Sequence, residues 1–236
     1  MGGIFLCLGA LPVACSMAIN KEKFQELKRI CAANGANLVA VSKTKPIADI
    51  LELYQEGQRD FGENYVQELV EKQPLLPADI RWHFIGHLQS NKVKFIAPFV
   101  FLVHGVDSLK LLREINKQGI KLQRSIPCLL QVHIASEETK FGFDAHELKE
   151  CITLVKSDPA AFSGVQVNGL MGMASFSDNA DLVRREFRSL KQMFDANGFQ
   201  APGHQLSMGM SGDFTIALEE GANLIRIGSL LFGSRT

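Results

Sequence analysis

Residues 38–57 read LVAVSKTKPIADILELYQEG, and their order decides the fold class. Leu38–Val41 is an unbroken apolar run, the signature of a strand buried on both faces. A polar link, SKTK, follows. Pro46 then sets a helix start, and the helical stretch runs to a glycine stop at Gly57. Strand, polar link and helix make one β/α unit. Upstream, Asn20 is placed to cap a helix through about Ala33, with Phe24, Leu27 and Ile30 on one face. Asn34-Gly35 ends that helix.

Downstream the unit recurs without any repeat of sequence. Strands are expected at 60–62, 82–86, 100–106, 126–134, 165–173, 204–208 and 223–228. Helices are expected over 64–72, 89–96, 108–118, from about Asp144, over 179–196 and over 212–220. That makes eight strands with seven helices between them, and the 20–33 helix supplies the eighth. Such alternation with continuously apolar strands implies a parallel sheet covered on both faces. Eight units predict a closed (β/α)8 barrel of the TIM type. No G-x-G-x-x-G follows the first strand, which argues against a dinucleotide fold.

At 236 residues the chain fits one such barrel with nothing left for a second domain. Lys plus Arg and Asp plus Glu each number 25, so no global charge favours nucleic acid or an anionic membrane. Five widely spaced cysteines form no Cys-x-x-Cys pair, which argues against a zinc knuckle or redox motif. Residues 1–16 are apolar with no Lys or Arg before Lys21, so the basic region of a signal peptide is missing. The LPVAC run resembles a lipoprotein cleavage box that Pro12 fits poorly. Met17 opens a segment that looks like a natural start. The expected division is a leader or over-extended start at 1–16 and one barrel domain at 17–236, cytoplasmic and without a membrane span.

A barrel builds its site at the C-terminal ends of its strands. Lys43 comes directly after the first buried run. An amine that is partly desolvated, or close to another cation such as Lys45, has a depressed pKa and becomes nucleophilic. The alternative is an ordinary solvated lysine. Ser211-Gly212 precedes the seventh helix and Gly228-Ser229 a short terminal turn. Both offer backbone N–H groups and a hydroxyl to an anion, or are simply caps. Arg226 interrupts the apolar NLIRIG strand and needs a partner, either a structural ion pair or an acceptor such as a pyridine nitrogen. His83, His87, His133 and His204 fall at strands or strand ends but share no ligand-like spacing, so no metal is expected. Met171, Met173, Met208 and Met210 are read as packing at the barrel top.

LVAVSKTKP (38–46), FGENYVQE (61–68), WHFIGHLQSNK (82–92), GLMGMA (169–174), LSMGMSGDF (206–214) and RIGSLLFG (226–233) lie in order along most of the chain from about residue 20. As a set they strongly resemble the pyridoxal-phosphate homeostasis protein family. The resemblance implies a fold-type III barrel like the N-terminal domain of alanine racemase, with pyridoxal 5′-phosphate (PLP) as a Schiff base on Lys43. It implies that Ser211, Gly228 and Ser229 bind the phosphate and that Arg226 faces the ring nitrogen. Asn64 and Met208 are carried over near the ring. Ser229 stands where many members carry Thr, which keeps the hydroxyl. The segment before Met17 lies outside the family pattern, and the first helical region looks shorter than usual.

The resemblance also implies a role in vitamin B6 balance without an established reaction, so no catalytic residue is assigned. An arginine against the ring nitrogen disfavours its protonation and makes the ring a weaker electron sink. Racemase-type chemistry pairs a lysine with a tyrosine from a second domain. Here Tyr54 lies mid-helix and Tyr65 sits in a helix-start motif with a packing role. Expected partners are PLP itself and PLP-dependent apo-enzymes, with the protein a monomer. The alternatives are a PLP-dependent amino-acid racemase and a lysine-dependent aldolase or other sugar-phosphate barrel enzyme.

Overall fold

The computed structural model describes residues 19–136 and 141–233. Strands and helices alternate as α1 (Lys21–Ala33), β1 (Asn37–Val41), α2 (Ile47–Gln55), β2 (Asp60–Glu63), α3 (Val66–Lys72), β3 (Arg81–Phe84), α4 (Val93–Ile96), β4 (Leu102–Val106) and α5 (Leu109–Lys121). The second half continues with β5 (Ile126–Gln131), α6 (Ala145–Ser157), β6 (Val165–Met171), α7 (Ala180–Ala196), β7 (Gln205–Ser207), α8 (Phe214–Glu219), β8 (Leu224–Ile227) and α9 (Ser229–Phe232). The strands close into a barrel in sequence order. Every neighbouring pair is parallel, and β8 closes on β1 with Asn37 opposite Leu224 and Ala40 opposite Ile227.

The apolar runs form strands because both of their faces are covered. Val39, Leu102, Leu129, Met171 and Leu224 pack together as one cluster inside the barrel. Their neighbours Leu38, Ala40, Val103, Leu130, Leu170 and Ile225 point outward into the layer under the helices. Each fully buried Leu, Ile or Phe contributes about 1.5–3 kcal/mol. Helix starts carry the expected chemistry. Asn20 Oδ1 accepts from Lys23 N at 2.9 Å, and Asp144 with Glu147 forms a reciprocal capping box ahead of α6.

Several boundaries differ from the sequence reading, among them three at the C-terminal ends of the strands. The expected helix at 89–96 is a 3₁₀ turn at Ser90–Lys92 followed by one turn of α4. The helix expected at 212 begins at Phe214, because Asp213 Oδ1 accepts from Met210 N at 2.5 Å and holds residues 210–213 as a turn. The strand expected to reach 134 leaves the sheet after Gln131. The leader at 1–16 lies outside the described residues. Among the described residues no helix is long and apolar enough to cross a membrane.

Candidate functional site

The link after β1 is held on both sides of Lys43. Ser42 is buried; its Oγ donates to Glu63 Oε1 at 2.7 Å. Lys72, from the end of α3, reaches under the link and donates to Ser42 O (2.8 Å), Glu63 Oε1 (2.8 Å) and Glu68 Oε1 (2.6 Å). Glu68 also accepts from Thr44 N at 2.6 Å. That bond holds Thr44 at φ +63°, in the left-handed region a β-branched residue rarely adopts. Lys45 Nζ is engaged by Phe232 O at 2.7 Å. Lys43 therefore stands on a strained turn whose neighbours are pinned by a buried ion cluster. Burial pushes the Glu63 carboxyl up, while Lys72 and Ser42 pull it back.

Above this turn lies a cavity of about 530 Å³ at the C-terminal barrel mouth. Lys43, Asn64, Ser211, Arg226, Gly228 and Ser229 all line it, so the structure brings six of the seven sequence-derived residues together. Met208 is not among them. It is completely buried in the layer beneath the helices, and Met210, two residues on, lines the cavity instead. Strand alternation explains the difference: Ser207 faces the barrel interior, so Met208 faces away. Met173, Phe176, Ile85 and Val41 supply apolar wall.

Arg226 points into the barrel. Its Nη1 donates to Ser207 O (2.9 Å) and Oγ (2.6 Å), and its Nη2 to Gly172 O (3.2 Å). These bonds use three of the five N–H donors of a guanidinium. Burial lowers its pKa to about 10, with the Asp213 carboxylate opposing, so it stays charged at neutral pH. Asn64 Oδ1 is a buried acceptor that has no hydrogen-bond partner among the described residues. Its backbone is fixed by Gly86, where a Cβ would lie 2.2 Å from Asn64 O. Gly228 opens α9, and a Cβ there would crowd Val41 at 3.3 Å.

The remaining expectations resolve differently. Tyr65 is exposed rather than packed, and Tyr54 OH donates to Asp79 Oδ1 at 2.7 Å. His204 lies ahead of β7, at the opposite end of the barrel from the cavity. Among the described residues no three His, Cys, Asp or Glu side chains converge as a metal site. Lys72, Glu63 and Glu68 were not legible as site residues. Their one signal is a Glu–Lys pair four apart on α3, which usually marks an exposed helix face.

The family model for the alanine racemase N-terminal domain matches residues 18–236. The pyridoxal phosphate homeostasis protein of Aquifex aeolicus is 41% identical over 86% of this chain and 88% of its own. The human pyridoxal phosphate homeostasis protein is 37% identical over 95% and 87% respectively. The structure of PipY from Synechococcus elongatus with PLP bound is 35% identical, with a TM-score of 0.78 over 90% of this chain and 99% of that one. Alanine racemase from Bartonella henselae shares the fold at 18% identity, TM-score 0.67, and the match covers 58% of its length. The chain belongs to the pyridoxal phosphate homeostasis protein family, within the wider alanine racemase N-terminal domain family.

Proposed function

We propose that the cavity holds PLP with Lys43 as its covalent anchor, and that the protein binds, buffers and delivers this cofactor in vitamin B6 homeostasis. The observation that carries the reading is the convergence of Lys43, Arg226 and the Ser211 and Gly228–Ser229 segments on one cavity. The residues fit the group. A charged donor, an orphaned acceptor at Asn64, a glycine approach at Gly228 and apolar walls match a flat, phosphorylated, polar-edged heterocycle. When bound, PLP supplies an aldehyde for the lysine amine and a ring that draws electrons.

The chain's own residues do the rest. The Lys72–Glu63–Glu68 cluster holds the Lys43 turn in place. Arg226 presents N–H donors to the ring nitrogen, and Ser211 with Gly228–Ser229 takes the phosphate. Asn64 Oδ1 accepts from a donor on the ring edge. A donating guanidinium leaves the ring nitrogen unprotonated, which suits holding the cofactor better than carbanion chemistry. The likeness to proteins named for homeostasis supports a carrier without a reaction of its own. The same reading makes the protein a cytoplasmic monomer whose partners are PLP-dependent apo-enzymes.

The racemase reading needs a second base. Among the described residues no tyrosine, histidine or cysteine lines the cavity, and the Asp213 carboxylate there is engaged through Oδ1 with Met210 N. The test is borohydride reduction of wild type and Lys43→Ala after incubation with PLP, with mass spectrometry of the peptides. A pyridoxyl adduct on Lys43, lost in the variant, is expected; an unmodified wild type refutes the reading. Exchange of the α-proton of an added amino acid would favour the racemase.

A further inference from the structure

The barrel interior beneath the cavity contains a continuous file of polar side chains where a barrel of this type normally packs aliphatics. It starts at Arg226 on β8, whose Nη1 donates to Ser207 Oγ on β7 at 2.6 Å. Ser207 Oγ lies 3.0 Å from His104 Nδ1 on β4. His104 Nε2 lies 2.9 Å from His83 Nδ1 on β3. His83 Nε2 lies 3.0 Å from Asp60 Oδ1 on β2. Arg81 closes the far end on both Asp60 oxygens. Ser207, His104 and His83 are essentially inaccessible to solvent. The file draws on five strands and runs from the cavity to the first residue of β2, at the opposite barrel mouth.

The direction of every bond follows from the two ends. A guanidinium only donates, and an ionised carboxylate only accepts. Ser207 Oγ accepts from Arg226, so its single proton is available to His104 Nδ1. His104 then carries its proton on Nε2 and donates to His83 Nδ1. His83 in turn carries its proton on Nε2 and donates to Asp60. In the reverse arrangement the His83 Nε2 lone pair would face the Asp60 carboxylate, and the Ser207 proton would lose its acceptor. A buried polar atom left unpaired costs about 1–3 kcal/mol, and the reverse order leaves one at each end. Burial also keeps both imidazoles neutral, pushing His83 down and His104 well below the ordinary histidine range.

We propose that Ser207, His104 and His83 are positioning residues that lock Arg226 as a one-way donor at the cavity, with Asp60 and Arg81 as the fixed accepting end of the file. The inference rests on the reading that the cavity holds PLP. It adds that the environment of the bound ring is set partly from the far mouth of the barrel. Ser207 Oγ is one of three acceptors that hold Arg226, so a break along the file lets that hydroxyl rotate and loosens the guanidinium on one side, while its bonds to Ser207 O and Gly172 O remain. Asp60 lies away from the cavity wall, which makes it the informative place to cut.

Two measurements test this. Nitrogen-15 NMR of the histidine rings in wild type is expected to show both His83 and His104 protonated at Nε2 and bare at Nδ1. A proton on Nδ1 of either ring at neutral pH overturns the inference. It needs no variant and no cofactor. The second measurement compares PLP absorbance bands and affinities in wild type, Ser207→Ala, Ser207→Thr and Asp60→Ala. Ser207→Ala should shift the band and weaken binding by roughly tenfold. Ser207→Thr, which keeps the hydroxyl, should restore the wild-type band, and Asp60→Ala, which removes the acceptor at the far end, should shift it without touching the cavity. Adducts on Lys43 in all four proteins with superimposable bands and equal affinities overturn the positioning role. Failure of the cofactor reading shows separately, as a wild type that yields no adduct on Lys43.

Discussion

Replacing Lys72 by Met should expose what holds the Lys43 turn in place. Glu63 is completely buried and Lys72 nearly so, with Nζ shared among Glu63, Glu68 and the Ser42 carbonyl. Removing one partner of a buried pair leaves the other charge uncompensated, at a cost of about 3–5 kcal/mol. For a barrel of this size each kcal/mol moves Tm by about 2–4 °C, so a fall of roughly 6–20 °C is expected. The pH dependence identifies the cause. Burial already raises the Glu63 pKa in the folded protein. A raised carboxyl contributes stability that is full below its unfolded pKa and is lost as pH rises through the folded value. Without Lys72 the folded value rises further. The deficit of Lys72→Met should therefore be small near pH 4 and full near about pH 8. Urea denaturation at both pH values measures it, and Lys72→Met with Glu63→Gln should recover much of the loss. A deficit under about 1 kcal/mol at pH 8, or one that ignores pH, would show that the buried cluster does not hold this turn.

Gly86→Ala places a Cβ 2.2 Å from Asn64 O, so it should cost about 1–3 kcal/mol and weaken PLP binding through the displaced Asn64; an unchanged melting curve would contradict the close packing. Burial alone would raise the Asp60 pKa, but Arg81 and His83 outweigh it and hold the carboxyl at about 2. A lowered carboxyl contributes stability above its unfolded pKa and loses it as pH falls through the folded value, so about 2 kcal/mol should disappear between about pH 4 and 2. Asp60→Asn should flatten that acid limb in a series of urea titrations, and an identical limb would remove Asp60 from the account. Cys31, Cys128 and Cys151 are buried, and burial pushes Cys31 and Cys151 to about 11 and Cys128 higher still. Peptide mapping after treatment with a thiol reagent should find none of the three labelled until the protein is unfolded, and native labelling would contradict their packing.

The barrel was legible because its apolar runs are short, regularly spaced and separated by helical periods. Two-sided burial leaves such a strand almost no freedom of composition. The cavity residues were legible for the opposite reason: Lys43, Ser211 and Ser229 break the apolar pattern at strand ends, where polar groups have no packing purpose. Met208 admitted two readings, packing or a place near the ring, because a strand-end methionine reads the same on either face; the inward placement of Ser207 puts it in the layer under the helices. Lys72 and Glu63 were hidden because their pairing spans two elements, and nothing in a helix-face Glu–Lys spacing says that the lysine turns inward. His104 sits in LVHGV much as Arg226 sits in NLIRIG, a polar residue inside an apolar strand. Read together, the two positions carry the signal for a polar file through the barrel.

That file bears on why this barrel suits holding a cofactor. A racemase-type site needs a ring that accepts electrons readily and a second base across the substrate. Here the Arg226 guanidinium, which lines the cavity, is tied by three hydrogen bonds to Ser207 and Gly172, and Ser207 is tied onward to His104. A guanidinium fixed in that way donates and cannot give up its proton at neutral pH. The Lys43 turn is fixed with equal care from beneath by Lys72 and Glu68. By contrast, Phe176 lies fully exposed at the cavity and Met210 partly so. The floor is buried and hydrogen-bonded while the rim is apolar and open to water. On the proposed reading such an arrangement would grip the heterocycle by its far edge and leave the near side accessible, as the proposed delivery to another protein requires.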